Sequence, residues 1–63
     1  MTERILHHLR VHGPATAVVL AHHLDATPAS LDPTLRALER AGRVMRVPGD
    51  QQRRGGPRWM VTR

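Results

Sequence analysis

The chain has 63 residues, enough for a single small domain over residues 1–63 but not for a second core or a large active-site cleft. It contains no cysteine, which excludes disulfides, thiolate zinc sites and thiol catalysis. Ten arginines, no lysine and five acidic residues give a net charge of +5, a balance that favours a polyanionic partner such as nucleic acid.

The first helix is predicted over residues 2–12. Ile5, Leu6 and Leu9 fall on one side of such a helix and give it a single apolar stripe. Gly13-Pro14 ends the helix, because glycine relaxes the backbone and proline cannot continue it.

The second helix is predicted over residues 16–24. Thr16 is a candidate N-cap, since its hydroxyl can accept a backbone N–H from the first helical turn. Four apolar side chains then recur at helical spacing and face a core: Ala17, Leu20, Ala21 and Leu24. Val18 and Val19 lie between them, so at least one of these two valines faces outward.

The third helix is predicted over residues 28–41, where three leucines recur at helical spacing: Leu31, Leu35 and Leu38. Thr27 followed by Pro28 is typical of a helix start, because proline at the first helical position loses no hydrogen bond. Gly42 ends the helix after Ala41.

Pro33 interrupts the pattern of this third helix. In a helix that starts at Pro28, Pro33 lacks the N–H that would bond the carbonyl of Ala29, and its ring crowds that carbonyl. Asp32-Pro33 is itself a good cap followed by a first helical position. We therefore expect a kinked or two-part element: either a helix kinked over residues 29–32, or a separate turn before a helix that starts at Pro33.

Two runs after Gly42, residues 43–47 and 58–62, have the β-branched and aromatic composition of strands. The residues between them, 48–57, are rich in Gly, Pro, Gln and Arg and are predicted to form a loop. We expect a two-stranded hairpin over residues 43–62. Trp59 shares a strand face with Val61, so we expect it to pack on the helices rather than to stack on a base.

This order of elements is that of a winged helix-turn-helix domain, an α+β fold, and the sequence resembles that family over essentially the whole chain. The resemblance in the turn and the third helix is carried by Ala21-His22-His23-Leu24-Asp25-Ala26-Thr27, then Leu31, Leu35, Arg36, Leu38, Glu39 and Ala41-Gly42-Arg43-Val44. Before the turn, the resemblance is carried by Ile5, Leu6, Leu9, Gly13 and Thr16. In the hairpin, which is the wing of such domains, it is carried by the second strand, Arg58-Trp59-Met60-Val61-Thr62.

The resemblance implies a cytoplasmic, DNA-binding transcription regulator of prokaryotic or phage type, whose partner is double-stranded DNA. In such domains the third helix usually reads base edges in the major groove, and the wing lies on the phosphate backbone or in the minor groove. Carried over to this chain, the expected DNA-binding residues are Ser30, Thr34, Arg36, Arg40, Arg53, Arg54 and Arg58. The charge agrees, because residues 1–32 have a net charge of −1 and residues 33–63 a net charge of +6.

The start of the third helix departs from the family, which usually has polar or basic side chains where this chain has Pro28, Ala29, Asp32 and Pro33. A lone module buries only about 600–1,000 Å² on DNA, which suggests a second copy or a protein partner. Val18 and Val19 are the candidate contact surface for it. The alternative function is therefore a winged-helix protein-interaction module, an inhibitor or adaptor, such as a phage-encoded one, with little or no specific DNA binding.

Other functions are not expected. The five histidines lack the cysteines and carboxylates that would complete a four-ligand metal site, so we expect them on the surface. With no phosphate-cradling glycine loop and no nucleophile beside a base, neither an enzyme nor a cofactor is expected. The longest apolar run, residues 17–21, is far shorter than the ~20 residues that span a bilayer, and no secretory signal precedes it, so we expect no membrane partner.

Overall fold

The computed structural model describes residues 1–50 and 54–62. Three helices lie in these residues: α1 (Thr2–His12), α2 (Ala17–Leu24) and α3 (Pro28–Arg40). Three short strands accompany them: β1 (Ala15–Thr16), β2 (Val44–Arg46) and β3 (Arg58–Val61). Three helices followed by an antiparallel hairpin confirm the predicted winged helix-turn-helix fold. None of the helices in the described ranges is long and apolar enough to cross a membrane.

The hairpin belongs to a three-stranded antiparallel sheet, where the sequence predicts two strands. The strand order is β1-β3-β2, so β3 lies in the centre. Trp59 of β3 pairs with Ala15 on one side and with Arg46 on the other. β1 has only two residues and is extended because it pairs with β3, a long-range contact that local composition does not signal.

Side-chain caps fix the starts of α2 and α3. The hydroxyl of Thr16 accepts a hydrogen bond from the Val19 N–H at 3.2 Å, as the sequence predicts. At α3, the Ser30 N–H donates to the Thr27 hydroxyl at 3.1 Å, and the Thr27 N–H donates to the Ser30 hydroxyl at 3.3 Å. This reciprocal capping box fixes the first turn of α3 at Pro28.

Pro33 lies inside one helix that runs from Pro28 to Arg40. The alternative in which a separate turn precedes a helix starting at Pro33 is therefore wrong. The capping box holds the first turn, and the leucines on both sides of Pro33 face the same core. Pro33 and Ala29 are both exposed, so water can bond the carbonyl that Pro33 leaves without an N–H.

One side of each helix and the centre of the sheet form the core. Its buried apolar residues are Ile5, Leu6, Leu9, Ala15, Leu20, Ala21, Leu24, Leu31, Leu35, Leu38, Val44 and Trp59. Trp59 is only 6% exposed, which confirms the prediction that it packs on the helices, and Val61 on the same strand face packs partly buried against the core. Val18 and Val19 both face outward, at 54% and 41% exposure.

His8 does not lie on the surface, where all five histidines were expected. Its side chain is 8% exposed. It follows Ile5 by three residues on α1, so the buried face of this helix is wider than the stripe formed by the leucines and Ile5.

Candidate nucleic-acid interface

A groove of about 470 Å³ lies between α3 and the hairpin. Four charged residues of α3 form its helix wall: Asp32, Arg36, Glu39 and Arg40. Three residues of the hairpin form its other wall: Arg46, Pro57 and Trp59. This α3–wing groove, as we call it, brings three guanidinium groups from two elements into one depression.

The helical period places the charges of α3 on the side away from the core. Asp32, Arg36 and Arg40 follow one another at intervals of four residues and therefore lie along one face. The Nε of Arg36 lies 3.0 Å from Oδ2 of Asp32, with both side chains more than half exposed. An ion pair this exposed adds little stability, so Arg36 can exchange Asp32 for another anion. Arg40 has no ion-pair partner among the described residues.

Arg46 is held across the groove by both walls. Its Nε donates to Oε2 of Glu39 at 2.9 Å. Its guanidinium carbon lies 5.8 Å from the centroid of the Trp59 ring, within the range of a cation–π contact. The sheet register explains this contact, because Arg46 and Trp59 are direct cross-strand partners and their side chains leave the sheet on the same side.

The wing loop is tied to β3 by Asp50, which is 9% exposed. Its carboxylate accepts hydrogen bonds from the Arg58 backbone N–H at 3.2 Å and from the Arg58 Nε at 2.7 Å. The hydrogen bond and the negative charge of Asp50 raise the pKa of Arg58. Arg58, an expected DNA-binding residue, is thus engaged within the wing, whereas Arg54 is exposed in the wing turn. Arg53, also expected to bind DNA, lies outside the described residues.

The expected DNA-binding residues of α3 have different surroundings. Arg36 and Arg40 line the α3–wing groove. Ser30 is exposed in the first turn, where its hydroxyl donates to the Thr27 carbonyl at 2.8 Å and so caps the helix. Thr34 is half-buried. The groove thus brings together the two arginines of this set, while Ser30 and Thr34 do not line it.

Sequence reasoning missed the contribution of Arg46 and Trp59 to the groove. Arg46 resembles any exposed charge of a short strand, and Trp59 is predicted only as a core residue. The cross-strand register that joins them is a long-range pairing of β2 with β3, which composition does not determine. The sequence does not reveal the ion pair between Glu39 and Arg46 either, because the two residues are seven positions apart in the chain.

Three histidines form a second cluster of polar side chains: His8 and His12 on α1, and His23 on α2. The His8 ring centroid lies 4.6 Å from that of His12 and 5.0 Å from that of His23. Burial lowers the pKa of His8, and the charges of His12, His23 and His7 lower it further. In the described ranges, no group of three or more potential ligand residues is arranged to hold a metal ion.

The chain matches the family model described as MarR family over residues 3–55. Two solved structures share its fold. The Zα domain of Carassius auratus PKZ in complex with Z-DNA has a TM-score of 0.82 and 20% identity, covering 97% of this chain and 90% of that one. The apo-Zα domain of zebrafish PKZ has a TM-score of 0.83 and 22% identity, covering 98% and 91%.

None of the curated proteins matches the chain. The family is a non-enzymatic one, in agreement with the expectation that this domain is not an enzyme. The family match extends from the first turn of α1 into the wing loop and so spans all three helices. The chain therefore belongs to the MarR family, a family of winged-helix DNA-binding domains.

Proposed function

We propose that the chain is a cytoplasmic transcription regulator that binds double-stranded DNA, with α3 in the major groove and the wing on the phosphate backbone or in the minor groove. The observation that carries the proposal is the α3–wing groove, which is lined by the guanidinium groups of Arg36, Arg40 and Arg46. A structural neighbour, the Zα domain of Carassius auratus PKZ, was solved in complex with Z-DNA, which supports a DNA-binding use of this fold.

The dimensions of α3 suit the major groove of DNA. An α-helix about 10–12 Å across fits a groove about 12 Å wide. Arg36 and Arg40 lie on the outward face of α3, where Arg36 can reach a guanine or a phosphate and Arg40 a phosphate. Arg54, exposed in the wing turn, can reach phosphates beside them.

Two carboxylates reduce the positive charge of the groove without closing it. The pair between Asp32 and Arg36 is exposed, so a DNA phosphate can displace Asp32. We therefore expect binding in which phosphate contacts supply most of the affinity and base contacts supply little of it.

The test is fluorescence polarisation with a short labelled duplex at salt concentrations from about 50 to 200 mM. Each phosphate that an arginine neutralises contributes about −0.9 to the slope of log affinity against log salt. The double variant Arg36→Ala/Arg40→Ala should therefore flatten the slope by about 2.

The matched control is Arg4→Ala/Arg10→Ala. It removes the same charge from exposed positions of α1 that do not line the groove, and its slope should stay near that of the wild type. Equal slopes for the two double variants would remove α3 from the binding surface. A wild-type domain that fails to bind duplexes even at low salt would contradict DNA binding itself.

A protein-interaction module is the second candidate function, and the exposure of Val18 and Val19 favours it. The two valines are neighbours in the first turn of α2, outside the core, and form a small apolar surface. Such a surface suits a second copy of the chain or a protein partner. Failure of the duplex to bind at low salt would leave this function as the better one.

A further inference from the structure

Arg46 is held in place from two directions. Its Nε lies 2.9 Å from Oε2 of Glu39, and its Nη2 lies 3.5 Å from Oε1 of the same carboxylate. The face of Trp59 lies beneath the guanidinium, 5.8 Å from ring centroid to guanidinium carbon. Trp59 is itself fixed, because it is buried in the central strand of the sheet. The guanidinium is therefore oriented before any ligand arrives.

These contacts leave part of the guanidinium available. Glu39 engages Nε and one N–H of Nη2, and the N–H groups of Nη1 have no hydrogen-bond partner among the described residues. The Arg46 side chain is 52% exposed and lines the same groove as Arg36 and Arg40. A planar guanidinium can bind a carboxylate along one edge and a phosphate along another.

We propose that Arg46 is a preorganised phosphate-binding residue of the α3–wing groove, and that Glu39 and Trp59 are positioning residues that hold its guanidinium. The inference rests on the proposed DNA-binding function and deepens it, since it assigns a phosphate contact to β2 in addition to those of α3. Because an arginine that is already oriented loses little conformational entropy on binding, Arg46 contributes more affinity than a freely moving arginine of equal charge.

Arg43 provides the matched control for Arg46. It is exposed, lies three residues earlier and does not line the groove. Arg46→Ala should weaken binding of a short labelled duplex about tenfold and flatten the salt slope by about 1, whereas Arg43→Ala should leave the slope near the wild-type value. Thermal unfolding of each variant, followed by circular dichroism, verifies that it is folded.

Two further comparisons separate positioning from charge. Arg46→Lys keeps the charge but loses the planar fork, so it should lose most of the affinity that Arg46→Ala loses. Glu39→Ala and Asp32→Ala each remove one carboxylate from the groove. Asp32→Ala should strengthen binding by removing a repelling charge, whereas Glu39→Ala should weaken it by releasing Arg46.

The fluorescence of Trp59, the single tryptophan, reports directly on this site. Duplex binding should shift the emission of the wild type, and the shift should be lost in Arg46→Ala. If the wild type binds DNA while Arg46→Ala and Arg43→Ala have the same salt slope, the inference is overturned and the proposed function remains. If Arg46→Lys binds as the wild type does, the positioning role is overturned. If the wild type does not bind DNA at low salt, the proposed function fails and this inference fails with it.

Discussion

At the scale of single residues, His8 has the least expected surroundings. Its ring is buried on α1, and its Nδ1 has no hydrogen-bond partner within residues 1–50 and 54–62. The rings of His12 and His23 lie beside it. Glu3 and Arg4 line a shallow pocket together with His8 on the α1 side. Burial, and then the charges of the neighbouring histidines, lower the pKa of His8 below 6.5. The surroundings of His8 therefore favour its neutral imidazole over the protonated form.

This lowered pKa predicts that acid destabilises the fold. Since the unfolded chain binds the proton more readily than the folded one, the free energy of unfolding is unaffected well above pH 6.5 and decreases as the pH falls below that value. His8→Leu removes the titrating group and should flatten the fall of the melting temperature between about pH 7 and 5. The exposed His22 is the control, and His22→Gln should keep the wild-type profile. Parallel profiles for His8→Leu and the wild type would contradict the prediction.

At the scale of elements, α3 is a helix that tolerates a proline in its interior. The capping box at Thr27 and Ser30 stabilises its first turn, and the buried face formed by Leu31, Leu35 and Leu38 continues through Pro33. Pro33 nevertheless removes one backbone hydrogen bond, the one that the Ala29 carbonyl would accept. The missing hydrogen bond therefore costs the helix some stability, and the packing of its leucines against the core offsets that loss.

Pro33→Ala should therefore stabilise the domain. It restores the N–H that the Ala29 carbonyl can accept, at an exposed position where alanine fits without a clash. The same substitution gives the unfolded chain more conformational entropy, which offsets part of the gain in stability. We expect a net gain of about 1 kcal/mol and a rise in melting temperature of about 4–8 °C.

The control for this prediction is Pro28→Ala, at the first position of α3. Proline is well suited to that position, so the substitution should leave the melting temperature unchanged or lower it. A gain from Pro28→Ala as large as that from Pro33→Ala would contradict the explanation.

The elements differ in how far the sequence predicts them. Helix caps and the leucine spacing of α3 are local signals, so the helices and the core face of α3 follow from the sequence. Arg36 and Arg40 follow as well, because helical spacing alone puts them on one outward face. β1 and the contact between Arg46 and Trp59 do not follow, because both depend on long-range strand pairing.

At the scale of the whole molecule, positive charge is concentrated in residues 33–63, and ion pairs engage some of its arginines. Eight arginines and two acidic residues give this segment a net charge of +6. Both acidic residues are engaged, Glu39 with Arg46 and Asp50 with Arg58, and Asp32, just before the segment, pairs with Arg36. What distinguishes the α3–wing groove is therefore the arrangement of its guanidinium groups on two elements rather than an excess of charge.

The central claim is that the α3–wing groove is the DNA-binding surface of this domain. Amide chemical-shift mapping by NMR, with a short duplex added to isotope-labelled protein, tests it most directly. The claim predicts that the largest shifts lie in α3 between Asp32 and Arg40 and in β2 and β3, with little change at Val18 and Val19. Shifts centred on the two valines of α2, with α3 and the wing unchanged, would contradict it.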